Sequence, residues 1–191
     1  EIRHFLMLEE LLFELGGNYG DFAVHKNLFE AMEQTPDFLR RMAAVPRYLE
    51  ANGLDQNPKI MEKLNSNRDE FNNKFLKALE IILEEEVSHV KKGDIWFKYE
   101  CDRLNLEPES TYLKIIEEVF PGSTKRKMDL NFIARKEAGF SCNELKWVAS
   151  ARQGGHQVAK ISKSITFPLL PSRLKLLPAL STVCESFLRS L

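Results

Sequence analysis

Thiol chemistry has little to work with in this chain. Three cysteines, Cys101, Cys142 and Cys184, are spread over 191 residues, and none stands in Cys-x-x-Cys spacing. An odd, scattered set argues against a disulfide framework and against a zinc ribbon or finger, and suits a reducing, cytoplasmic setting. No apolar run reaches the roughly 18 residues that a membrane-spanning helix needs, and no secretory leader is recognisable. No segment alternates apolar and polar residues at period two, so strands are not expected. The glycines of Gly154-Gly155 are not followed by the Lys-Ser/Thr of a phosphate loop. Solenoid-length repeats and low-complexity tracts are missing too. Acidic residues vanish between Glu144 and Glu185, where Arg152, Lys160, Lys163, Arg173 and Lys175 are all basic. Such a tail could meet RNA, a membrane surface or an acidic partner, although a solvated segment is the plainer reading.

What is present is helical periodicity. Phe75, Leu76, Leu79, Ile82, Leu83, Val90, Trp96 and Phe97 recur at helix spacing and predict one long helix over about 68–104, roughly 50 Å in length. Glu86 and His89 interrupt its apolar stripe. Three apart, they share a face one turn from each other. A carboxylate and an imidazole on a core-facing stripe are costly unless paired or bound to metal. Glu-x-x-His facing into a bundle is the ligand pattern of dinuclear carboxylate proteins. A second copy, Glu1-Ile2-Arg3-His4, opens the chain.

The remaining helices follow in order. A helix over 2–15 presents Phe5, Leu8, Leu11, Leu12 and Leu15, and Gly16-Gly17-Asn18 ends it by the glycine route. A short helix over 25–34 turns Leu28, Phe29 and Met32 inward. Thr35-Pro36 reads as N-cap and first residue of a helix to about Ala51, kinked at Pro46 and stopped at Asn52-Gly53. Glu50 continues its inward stripe and is a candidate ligand; an exposed glutamate in a last turn is the alternative, and Glu30 and Glu33 are rivals. Asn57-Pro58 opens a further short helix, and 111–120, 131–138 and 142–149 read as three more. Pro178 splits the end of the chain, leaving a short helix over 180–191. Trp96, Phe97 and Tyr99 read as core packing, His25 as a structural residue, and Glu85 as a residue supporting a ligand. No Ser/His/Asp set is suggested, so no catalytic residue is assigned.

Five stretches then form an ordered series: Glu1-Ile2-Arg3-His4-Phe5, Leu15-Gly16-Gly17-Asn18-Tyr19-Gly20-Asp21, Val45-Pro46-Arg47-Tyr48-Leu49-Glu50-Ala51-Asn52-Gly53-Leu54-Asp55, Ile82-Leu83-Glu84-Glu85-Glu86-Val87-Ser88-His89-Val90 and Ala134-Arg135-Lys136-Glu137-Ala138-Gly139-Phe140-Ser141. Together they resemble the ferritin-like family catalogued as DUF455, over about residues 1–148. The resemblance implies an all-α, ferritin-like four-helix bundle over 1–149 around a dinuclear metal site, with 150–191 a basic, Pro- and Leu-containing extension. The ligand order in such bundles is Glu, Glu-x-x-His, Glu, Glu-x-x-His. Here it implies Glu1, His4, Glu50, Glu86 and His89 as metal ligands. The helix that would carry the first glutamate has no match in this chain; either a segment upstream of residue 1 supplies it, or the site has one ligand fewer than the family pattern. The resemblance implies two metal ions, iron first with manganese or zinc as alternatives. It implies an O₂-activating oxidoreductase or hydroxylase acting on a small molecule, with RNA as a further substrate reading suggested by the basic tail. The alternatives are an iron-handling protein without organic substrate and a helical interaction module with a degenerate site.

Overall fold

The computed structural model describes residues 1–123 and 129–145. Among them every regular element is helical. In chain order these are α1 (Ile2–Glu14), α2 (Asn27–Gln34), α3 (Phe38–Ala44), a π-helix (Val45–Glu50), α4 (Ala51–Asn65), α5 (Glu70–Arg103), α6 (Pro108–Val119) and α7 (Phe132–Glu137). A helical turn over Cys142–Leu145 follows. The readings placed on Lys125-Arg126-Lys127, on Gly154-Gly155 and His156, on the basic extension 150–191 and on its helix over 180–191 lie outside the described residues.

The axis is α5, whose 34 residues match the expected long helix. Asp69 caps it by accepting from the Asn72 amide at 2.7 Å. Its far end closes on Asn105, held at φ 55°, with Leu106 N–H returning to the Cys101 carbonyl at 2.9 Å. Both neighbours run antiparallel to it. On α1, Glu1 lies against His89 while Glu14 takes Lys74 at 2.9 Å. On the α3–π-helix segment, Arg47 meets Asp94 while Glu50 sits within electrostatic reach of Glu86.

Two apolar clusters divide the bundle along α5. Leu8, Leu11 and Leu64 pack on Phe71, Phe75, Leu79 and Ile82 at one end. Ala43, Leu54, Tyr112, Ile115 and Phe140 pack on Val90, Phe97 and Cys101 at the other. Glu86 and His89 fall between Ile82 and Val90, at the seam between the two clusters.

Several boundaries differ from expectation, each for a local reason. Thr35 is not an N-cap. Its hydroxyl donates back to the Ala31 carbonyl at 2.6 Å and closes α2, while Asp37 caps α3 by accepting from the Arg40 amide at 2.9 Å. Neither Asn52-Gly53 nor Asn57-Pro58 breaks the chain, and α4 runs through both. Pro58 has no N–H for the Leu54 carbonyl four residues back, and Asn131 Nδ2 donates to that oxygen instead at 3.2 Å. Pro46 does more than kink its helix. The backbone widens into a π-helix across it, a register that reaches five residues on and bypasses the missing donor. α6 begins at Pro108 rather than at Thr111, because Glu107 caps it through the Glu109 and Ser110 amides at 3.1 and 2.7 Å.

Side-chain directions also need correction. The buried residue of α2 is Ala31, and Phe29 is exposed. Phe97 is fully buried, but Trp96 and Tyr99 are exposed and form an edge-to-face chain with Phe38. The inward stripe of α5 runs through Val90, Phe97 and Cys101, and Trp96 sits about 100° of helix rotation off it.

Candidate metal centre

Glu1 and His4 stand at the start of α1, and Glu86 and His89 at mid-length of α5. Antiparallel packing brings the two Glu-x-x-His turns face to face. One donor atom from each of the four residues lies within 4.8 Å of all the others. His4 is fully buried, Glu86 is 3% exposed, and Glu1 and His89 are half-buried. The pairs interact crosswise as well as along each helix. Glu1 Oε1 reaches His89 Nδ1 at 2.5 Å. Within each helix the carboxylate and imidazole stand 3.5 Å apart, at Glu1 Oε2–His4 Nδ1 and Glu86 Oε2–His89 Nδ1. The two imidazole centroids are 5.6 Å apart.

Glu50 ends the π-helix and stands outside this four-residue group. It is still electrically part of it. Burial, then the like charges of Glu86 and Glu1, push its carboxyl up to about 8. Glu30 and Glu33, the rival carboxylates, are exposed on α2, and His25 is exposed ahead of it.

The other shifts follow from the same crowding. His89 is raised by its contact with Glu86 against the opposing effect of burial, with Glu1 adding to the rise. Burial works to raise Glu1, but its bond to His4 and the His89 charge outweigh that and hold it low. Beside the group, His4 Nε2 meets Glu85 Oε2 at 2.7 Å, and Arg3 pairs with the same carboxylate. Those two partners hold Glu85 low, the His4 bond foremost. Glu85 thus touches an imidazole of the cluster, as its place beside Glu86 suggested.

The donor set fits a cation. Glu1 Oε2 and Glu86 Oε2 are buried and meet no hydrogen-bond donor in bonding geometry. Three carboxylates crowd this buried site, and one of them, Glu50, is kept from ionising by burial and by the charges of Glu86 and Glu1. A cation among them would take the orphaned oxygens and offset the burial and like-charge repulsion that together hold the Glu50 carboxyl up. Mixed carboxylate and imidazole donors suit iron, manganese or zinc.

A second buried polar system, unforeseen in the sequence, fixes the π-helix. Arg47 is fully buried. Its guanidinium donates to Asp94 at 2.7 Å and to Glu144 at 2.5 Å, and lies 4.1–5.0 Å from the ring centroids of Phe97, Tyr112 and Phe140. Tyr112 OH donates to the Arg47 carbonyl at 3.3 Å. Arg135 bonds Asp55 through two nitrogens, at 2.6 and 3.0 Å. Nothing in the Arg47 neighbourhood of the sequence marks it as internal, because its partners are 47 and 97 residues away.

Among the described residues the fold is all-helical, and it carries a carboxylate–histidine cluster with the donor set of a possible metal site. The chain belongs to DUF455, a family described as proteins of unknown function, which matches residues 1–146. A protein of Haemophilus influenzae described as uncharacterized is 34% identical over 158 residues, 80% of this chain and 52% of the relative. The chain therefore spans about half the length of that curated relative. No solved structure matches it. No helix among the described residues is long and apolar enough to cross a membrane.

Proposed function

We propose that this protein is a ferritin-like dinuclear metal protein that activates O₂ to oxidise a small molecule, with iron as its first metal and manganese as the redox-active alternative; zinc fits the same donors but, having no redox chemistry, would make it a metal-binding protein without that activity. The observation that carries the reading is the convergence of Glu1, His4, Glu86 and His89 from two antiparallel helices onto one point. Two Glu-x-x-His turns with a further glutamate nearby are the donor set of dinuclear carboxylate bundles. Bound iron would supply the redox chemistry for O₂ activation, with an external electron donor returning it to Fe²⁺ between turnovers. The chain's own residues supply charge neutralisation through Glu1 and Glu86, nitrogen ligation through His4 and His89, and a third carboxylate from Glu50. Glu50 is protonated in the metal-free site and would surrender that proton on ligation.

Metal content of the full-length protein after anaerobic reconstitution tests the reading. Two ions per chain that are lost in Glu86→Ala support it; no uptake by the native protein refutes it. The exposed aromatic chain Phe38–Trp96–Tyr99 favours a second reading, a helical interaction module with a degenerate site. Absence of metal together with capture of a partner that Trp96→Ala abolishes would select it.

A further inference from the structure

A recess of about 380 Å³ lies between α2, the π-helix, the start of α4 and the turn after α6, and none of the four cluster residues is among its described lining. α2 presents Asn27, Glu30, Ala31 and Gln34 to it, the i, i+3, i+4, i+7 face of that helix. Tyr48 and Phe120 stand there as a stacked pair, with ring centroids 4.7 Å apart. Phe120-Pro121-Gly122-Ser123 is a tight turn: Gly122 takes φ 76°, and the Ser123 N–H donates to the Phe120 carbonyl at 3.0 Å. That turn brings Ser123 to the recess at 6% exposure, and its hydroxyl has no hydrogen-bond partner. Asn52, in the first turn of α4, lines the recess too, and its Oδ1 is buried without a donor. No Lys, Arg or His stands among the described lining residues, so Glu30 gives the recess a negative charge.

We propose that this recess binds a small primary alkylamine in its protonated form, held by Glu30, Asn52 and Ser123 beside the Tyr48–Phe120 pair. An alkylammonium has three N–H donors and no acceptor. It complements a lining whose charge is negative and whose unmet buried atoms are oxygens able to accept. The faces of the two aromatic rings attract a cation, and Ala31 and Leu49 offer apolar surface to its carbon stem. An anion would meet Glu30 with no cation to hold it. A quaternary ammonium has the charge but no N–H, and would leave both buried oxygens unmet. A neutral heterocycle could bond the carboxamides but would leave the Glu30 charge unmatched. Glu30, exposed on α2 and outside the metal cluster, has its place here. The site stands apart from the metal reading and does not rest on it.

Titration of the full-length, metal-free protein with n-butylamine at about pH 7, where an alkylamine is protonated, tests the assignment by calorimetry and NMR. Saturable binding that shifts the Asn52 side-chain amide and the Tyr48 ring is expected. Butan-1-ol keeps the stem and loses the charge, and tetramethylammonium keeps the charge and loses the donors. Each is expected to bind at least about tenfold more weakly than the amine. Glu30→Gln is expected to weaken butylamine about tenfold, and Ser123→Ala by less. Glu30 is exposed, so its variant is expected to fold; should Ser123→Ala not fold, Glu30→Gln and the ligand series still decide. Absence of saturable binding overturns the site. Equal affinity for butan-1-ol, or unchanged affinity in Glu30→Gln, overturns the cation. Tighter binding of adenosine, a planar neutral ligand, overturns the amine class. Shifts confined to the His4 and His89 rings place the amine at the metal cluster and overturn the assignment. None of these outcomes depends on metal uptake, which the reconstitution tests separately.

Discussion

Glu1 and His89 touch across two helices, with Oε1 and Nδ1 2.5 Å apart. The carboxylate of the first Glu-x-x-His turn thereby faces the imidazole of the second, and the four donors form one cluster rather than two i,i+3 pairs. A metal ion held by this crosswise arrangement would depend on the docking of α1 on α5. Ligand binding to the folded state alone stabilises by RT ln(1 + [L]/Kd), about 2.7 kcal/mol at one hundred times Kd. Thermal melts with and without Zn²⁺ or Fe²⁺ are expected to show that gain in the native protein and none in Glu86→Ala. An equal gain in both would place the metal elsewhere.

The metal-free protein is expected to lose stability as pH rises. Glu50 is held up at about 8 when folded, against 4.5 for an ordinary glutamate. Its folded form binds a proton that the unfolded chain has released, so this contribution is complete below the unfolded value and disappears as pH climbs through about 8. His89 is also raised on folding, and its share likewise fades as pH rises through its folded value. Glu1, held low, acts in the opposite sense. Melting temperatures between about pH 5 and pH 9 should therefore fall, and Glu50→Gln should flatten the profile. Metal uptake should run the other way and strengthen with pH, because ligation requires the deprotonated carboxyl.

Arg47 is the anchor of the π-helix. Its replacement by Met strands Asp94 and Glu144, both buried, although Lys98 still reaches Asp94 at 2.7 Å and the Ser141 amide still reaches Glu144 at 2.7 Å. Breaking a buried pair costs about 3–5 kcal/mol, and those surviving partners place the loss toward the lower end. Arg47→Lys keeps the charge but not the planar fork or the stacking on three rings, and is expected to lose less than Met yet still measurably. Urea unfolding checks both variants.

Gly93 is where α5 meets the proline of the π-helix. A Cβ there would collide with the Pro46 ring, which cannot rotate away. Gly93→Ala is expected to cost about 1–3 kcal/mol by overpacking. Gly53, inside α4 with open space around a would-be Cβ, is the control. Gly53→Ala should stabilise by about 0.5–1 kcal/mol through helix propensity alone. Paired melting curves of the two variants separate close approach from propensity.

Helix identity and the two Glu-x-x-His turns were legible in the residues because their cause is local. Spacing of Leu79, Ile82, Val90 and Phe97 sets one face of α5, and the same 3.6-residue repeat puts Glu86 and His89 on it. Gly16, at φ 81°, ends α1 as its residue type allows. Tertiary structure alone decided which groups meet. The rotation of α1 on α5 chose Glu1 for His89 and Glu85 for His4, and a neighbour 88 or 81 residues distant leaves no periodic trace. Pro46 signalled a disturbance, but whether the chain kinks, stops or widens depends on what lies opposite, here Gly93 and the Asp94–Arg47 pair. The same holds for Pro58, carried inside α4 because Asn131 arrives from α7's cap to take the carbonyl that proline leaves open. Glu86 and His89 owe their face to the sequence, and their partners to the antiparallel packing of α1 against α5.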